Sequence, residues 1–161
     1  MTIQALFGIS VLLSFVASGL VAGLYVWPWV RTRERQQALL PLVLPHTFRF
    51  VGLSFLVPGV VSPSLPAAFA APAAYGDLGA TLLAIAAAAA LARRASFAIP
   101  LVWLLNVWGT ADLLFAFYQG QIGVHLDARM LGAAFFIPTV FVPLLLVTHA
   151  LMFRLLLRSG R

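Results

Sequence analysis

Five long apolar runs separated by short linkers occupy most of this 161-residue chain and limit what it can fold into. They cover approximately residues 3–29, 38–61, 74–92, 97–118 and 130–157. Each is close to or above the ~20 residues that cross a ~30 Å hydrocarbon layer as a helix. Backbone polar groups in lipid must be satisfied within the segment, and the runs are too continuously apolar for barrel strands. The expected fold is all-α: a single transmembrane domain over residues 1–161, a compact bundle of five helices. Composition agrees. Charged residues make up 9% of the chain and hydrophobic ones 63%, whereas soluble domains carry roughly 25% charged residues. A soluble fold of this length could not hide so much apolar surface.

The linkers carry the orientation signal. Arg31, Arg33 and Arg35 follow the first run, Arg93 and Arg94 the third, and Arg154, Arg158 and Arg161 the fifth. The opposite linkers offer only Arg129. The positive-inside rule then predicts an N-terminus outside and a C-terminus in the cytoplasm. The first run is not expected to be a cleaved signal, because its charges follow the apolar stretch. The net charge of +6 is thus read as topology, and no nucleic-acid partner is expected. Arginine as the sole basic side chain besides histidine, with abundant alanine, points to a GC-rich bacterial genome and an inner-membrane location.

Absent residue types exclude several chemistries. With no cysteine there is no disulfide, thiolate metal site, iron–sulfur cluster or covalently attached haem. With no lysine there is no Schiff base and no P-loop. The only acids are Glu34, Asp77, Asp112 and Asp127, too few inward glutamates for a di-iron carboxylate bundle.

Small residues mark packing faces. Ser10, Ser14 and Ser18, the Gly19/Gly23 pair, Gly76, Gly79 and the alanines at 86–90 let helix backbones approach closely. Packing within one bundle is expected from them, with homodimerisation through the first span as the alternative. The linker carrying Pro58, Pro63, Pro66 and Pro72 either lies in the interface or re-enters the membrane. Tyr25, Trp27, Trp29 and Tyr118 fall at span ends, as in an aromatic belt. Trp103 and Trp108 lie deeper and are expected to line a pocket.

Ionisable groups at membrane depth cost ~2.5–3.5 kcal/mol or more and mark function by default. His46 and Arg49 lie on span two, Asp77 on span three, Asn106 and Asp112 on span four, and His149 on span five. A rise of ~1.5 Å per residue sorts them into two layers. His46, Asn106 and His149 form the layer nearer the cytoplasm; Arg49, Asp112 and Asp77 form the other. Arg49 and His46, three apart, share a face. Asn106 and Asp112 are six apart and meet one cavity only if Gly109 lets the helix bend. A buried arginine needs a carboxylate, and Asp112 or Asp77 is the acid at suitable depth. Its role is either a register-fixing ion pair or the holding of an anionic group beside an aspartate proton relay.

Two helices each offering one histidine could ligate a b-type haem or a metal ion. No HxxxH, HExxH or CxxC string supports it. No metal is therefore expected, His46 and His149 being the candidates if one binds, and no cofactor is named. His125 and Asp127 read as solvent-facing.

Three functions fit these residues. The favoured one is an intramembrane pocket that binds or acts on a small lipophilic molecule, by proton transfer. His46, Arg49, Asp112 and His149 would do the chemistry, and Asn106, Asp77, Trp103 and Trp108 would contact the ligand. The alternatives are an accessory subunit of a larger membrane complex and a small proton- or ion-coupled transporter or channel. Partners under these readings are the bilayer, a lipophilic ligand, and a second copy or another membrane protein.

Overall fold

A computed structural model describes residues 1–158; Arg161 of the orientation argument lies outside the described residues. The described chain is all-helical, without a strand, and has five helices long and apolar enough to cross a membrane. They are α1 (Ile3–Val30), α2 (Arg35–Leu56), α3 (Ala67–Ala92), α4 (Ala98–Gly123) and α5 (Ile137–Leu156).

The helix limits differ from the expected ones at the end opposite the arginines. Span two stops at Leu56, not near residue 61, and residues 57–66 form an irregular loop. Span three starts at Ala67 rather than 74, so half of the proline-rich linker is helix. Pro72 lies inside that helix and removes the donor that Ala68 O would have received. Gln119 Nε2 donates to that carbonyl at 3.4 Å instead. Span four continues past Tyr118 through a π-helical turn at Gln119–Gly123. It ends where His125 takes a left-handed φ of 49° and Leu126 N donates back to Gly120 O at 2.7 Å.

Span five starts at Ile137 rather than 130. A separate 3-10 turn, Ala128–Phe135, precedes it and is broken at Gly132, φ 51°. There the chain meets the 57–66 loop. Ser62 N donates to Met130 O and Ala133 N to Val60 O, both at 2.9 Å. A Cβ on Gly132 would collide with the Val60 carbonyl, so only glycine suits this crossing. The two segments close one end of the bundle together.

At the other end the arginines bind helix termini. Arg158 Nη1 donates to Arg31 O at 3.3 Å, Arg35 Nη2 donates to Arg158 O, and Arg154 stacks on Trp27, 4.0 Å from the ring centre. Cations here meet the unpaired carbonyls and negative dipole ends of α1 and α5.

Between the ends, two apolar cores are stacked. The core near the arginines contains Leu39, Leu42, Ala84, Ala87, Val102, Leu105 and Met152. The far core contains Phe55, Phe69, Ala73, Ala74, Leu113, Leu131 and Ile137. Alanines of α3 at 80, 84 and 87 are fully buried, which lets α2 and α4 approach its backbone. α1 stays peripheral: its residues 3–21 include none that is buried. Ser10, Ser14 and Ser18 lie on its half-buried side, while Gly19 and Gly23 meet nothing within 4 Å.

Candidate functional site

The buried polar side chains His46, Arg49, Asp77, Asn106 and His149 lie between the two apolar cores, with Asp112 at their edge. The backbone of α2 aligns the first two. After Val43 this helix tightens from α to a 3-10 helix that runs thirteen residues, Leu44–Leu56. Stretches longer than 3–4 residues are uncommon, and in this geometry residues three apart eclipse. Its buried residues are His46, Arg49, Gly52 and Phe55, every third one. In an α-helix, at ~100° per residue, Phe55 would point away from His46; here all four fall on one line.

Asp77, Asp112, Arg49 and His149 each occupy space left by a glycine on a neighbouring helix. A Cβ on Gly52 of α2 would overlap the Asp77 carboxylate, and one on Gly76 of α3 would overlap that of Asp112. A Cβ on Gly109 of α4 would come within 2.8 Å of both Arg49 Nη1 and His149 Nε2. Gly109 thus admits Arg49 and His149 by lacking a side chain. α4 needs no break, and Asn106 and Asp112 both reach the cluster from one continuous helix.

Arg49 is fully enclosed and joins three helices. Its Nε donates to Asp77 Oδ1 at 2.7 Å, its Nη2 to Asp112 Oδ2 at 2.5 Å, and its Nη1 to Gly109 O at 3.1 Å. Both acids therefore pair with the arginine, where the sequence required only one. With both carboxylates ionised the triad carries one negative charge more than positive.

The histidines form the adjoining layer. Their ring centres are 4.1 Å apart at a 48° tilt. The Thr148 hydroxyl donates its single proton to Leu145 O at 2.8 Å. His46 Nε2, 3.0 Å from Thr148 Oγ1, must then be the donor in that contact. Asn106 Oδ1 only accepts, so His149 Nδ1 donates to it at 2.6 Å. In the uncharged rings this leaves lone pairs on His46 Nδ1 and His149 Nε2, and both are buried without a partner. Asn106 Nδ2 and Thr110 Oγ1 are likewise unpartnered. Among the described residues no group of three histidine, aspartate or glutamate side chains could hold a metal ion.

A pocket reaches the acids from the far end. It is narrow, with a cavity volume of about 40 Å³, and its walls include Phe7, Phe55, Phe69, Ala116 and Leu131, with Asp77 and Asp112 also on its surface. The structure does not bring the two expected tryptophans here. Trp108 is half exposed on the outside of α4, beside Gly79. Trp103 stacks on Phe153 at 5.9 Å, next to the arginine-end core. The pocket's phenylalanines escaped sequence reasoning, since in a chain with 13 phenylalanines no local pattern singles them out. Gly52 had a signal: it continues the three-residue spacing of His46 and Arg49.

Residues 6–157 match the family described as Domain of unknown function (DUF8737), and the chain belongs to that family. No curated protein and no solved structure matches it.

Proposed function

We propose that this chain is a multi-pass protein of a bacterial inner membrane that binds a small lipophilic molecule and exchanges a proton with it at Asp112. The carrying observation is an apolar pocket that ends on the two carboxylates of a buried triad with one base. A net charge inside a membrane is expensive; one proton or one cationic head group balances the triad, and a neutral hydrogen-bond donor solvates the surplus charge. A hydroxyl, phenol or ammonium on the ligand would donate to Asp112, while the Arg49–Asp77 pair stays intact as Asp112 gains or loses charge. On the other side of Arg49, the lone pairs of His149 Nε2 and His46 Nδ1 offer acceptors leading toward Thr148. The apolar walls would select the ligand by shape and the carboxylate by its donor, the usual division in small-molecule sites.

The proposed orientation has the N-terminus outside and the C-terminus in the cytoplasm. In its support, Arg31, Arg35 and Arg158 meet at one end of the bundle, and Arg94 pairs there with Glu34 at 3.8 Å. The pocket then opens toward the outer leaflet.

Native mass spectrometry of the full chain released from lipid nanodiscs tests the binding. The wild type should retain one lipophilic adduct per chain, and Ala116→Trp, which fills the pocket, should lose it while keeping its helical circular dichroism. A wild type free of any adduct that also releases or takes up no proton on exposure to its membrane extract would overturn the proposal.

A further inference from the structure

A second, larger groove lies at the arginine end, away from the triad. Its cavity volume is about 360 Å³, and it lies between α1, α2 and α5, with Ser18 and Val30 at its two ends along α1 and Pro41, Pro45 and Val147 on the facing helices. Its lining is almost wholly apolar, and from Ser18 to Val30 it follows twelve residue steps of α1. At ~1.5 Å per residue that is about 18 Å, the depth of roughly one leaflet of a ~30 Å hydrocarbon core. The mouth is cationic. Arg33 stacks on the groove residue Trp29 at 4.9 Å from the ring centre. Arg31 follows directly after the groove residue Val30, and both arginines are exposed without an acidic partner among the described residues.

We infer that this groove holds one anionic phospholipid of the arginine-side leaflet, its acyl chain along α1 and its phosphate at Arg31 and Arg33. Basic pockets between membrane helices take anionic head groups in this way. The apolar groove alone would accept any chain; the paired arginines at its mouth choose the charge. The guanidinium of Arg33, over the Trp29 ring, is presented to phosphate as a planar donor fork.

The test titrates delipidated full-length protein in detergent with phosphatidylglycerol and with phosphatidylcholine of the same chains, read by native mass spectrometry. Phosphatidylglycerol should bind one per chain and about tenfold more tightly, and excess inorganic phosphate should leave it bound. Arg31→Gln with Arg33→Gln, both on the surface, should bring the two lipids to equal affinity. Val147→Trp should weaken both. Equal affinity in the wild type, an unchanged preference in the arginine variant, or displacement by phosphate alone would overturn the assignment. Ala116→Trp should leave this lipid in place, so the outcome is independent of the triad pocket.

Discussion

The carboxylate of Asp112 on α4 fills the position where a side chain on Gly76 of α3 would stand. The acid can thus reach Arg49 only because residue 76 has no Cβ. The same arrangement recurs with Gly52 and Asp77, and with Gly109 against Arg49 and His149. The polar layer is therefore fitted through backbone gaps on three helices, and each gap should be measurable.

Gly76→Ala should push Asp112 off the arginine and lower stability by ~1–3 kcal/mol, the range for overpacked sites. Gly8→Ala, at a position with nothing within 4 Å, should be neutral or slightly stabilising, since alanine is the better helix former. Thermal unfolding of both variants in one detergent makes the comparison; equal melting temperatures would count against the glycine-gap account.

Charge counting separates the two acids from the arginine. Arg49→Gln leaves two carboxylates without their cation and should cost ~3–5 kcal/mol, as broken buried pairs do. Asp112→Asn keeps the Arg49–Asp77 pair and removes the surplus negative charge, so it should accumulate and unfold close to wild type while losing ligand adduct and proton exchange. Failure of Asp112→Asn to accumulate would reduce the triad to a structural ion pair.

The cysteine-free chain suits a spin-label scan. Single cysteines at residues 44–56 carrying nitroxides should show oxygen accessibility with a period of three, lowest at 46, 49, 52 and 55. A 3.6-residue period would show that the second half of α2 is an ordinary α-helix.

The hydrogen bonds of Thr148 and Asn106 fix opposite tautomers. Nitrogen NMR of ¹⁵N-histidine protein, at a pH where the rings are uncharged, should find the proton on Nε2 of His46 and on Nδ1 of His149. Asn106→Leu should release only the second preference. A single tautomer common to both rings would contradict the network.

For orientation, a green fluorescent protein fused to the C-terminus should glow in bacterial cells, and an alkaline phosphatase fused after residue 125 should be active. The reverse pattern would invert the bundle and turn the pocket beside Asp77 and Asp112 toward the cytoplasm.

Much of the layering is legible in the sequence. His46, Asn106 and His149 sort to one depth, and Arg49 with the aspartates to the next, because helical rise converts sequence position into depth without knowledge of neighbours. The limits of spans three and four are not legible locally, because Pro72 and the glycines at 120 and 123 look like helix breakers. Gln119 and a π-helical turn satisfy the backbone there. Trp103 and Trp108 were expected in a pocket on depth alone, and depth does not say which side of a helix faces inward.

Length and apolarity by themselves decided that the described chain has five helices long and apolar enough to cross a membrane, because lipid leaves a backbone few other ways to pair its polar groups. The residue types also decided that the polar cluster would be histidine, arginine, aspartate and asparagine. Tertiary structure alone decided that Arg49 holds two acids and that α2 tightens to put His46, Arg49, Gly52 and Phe55 in line. It also decided that glycines 52, 76 and 109 make the room. The ion pairs and the glycine gaps depend on contacts between residues 25 to 63 positions apart, from Gly52 against Asp77 to Arg49 with Asp112. Local propensity is blind to such contacts, because the energy that favours them is released only when the helices meet.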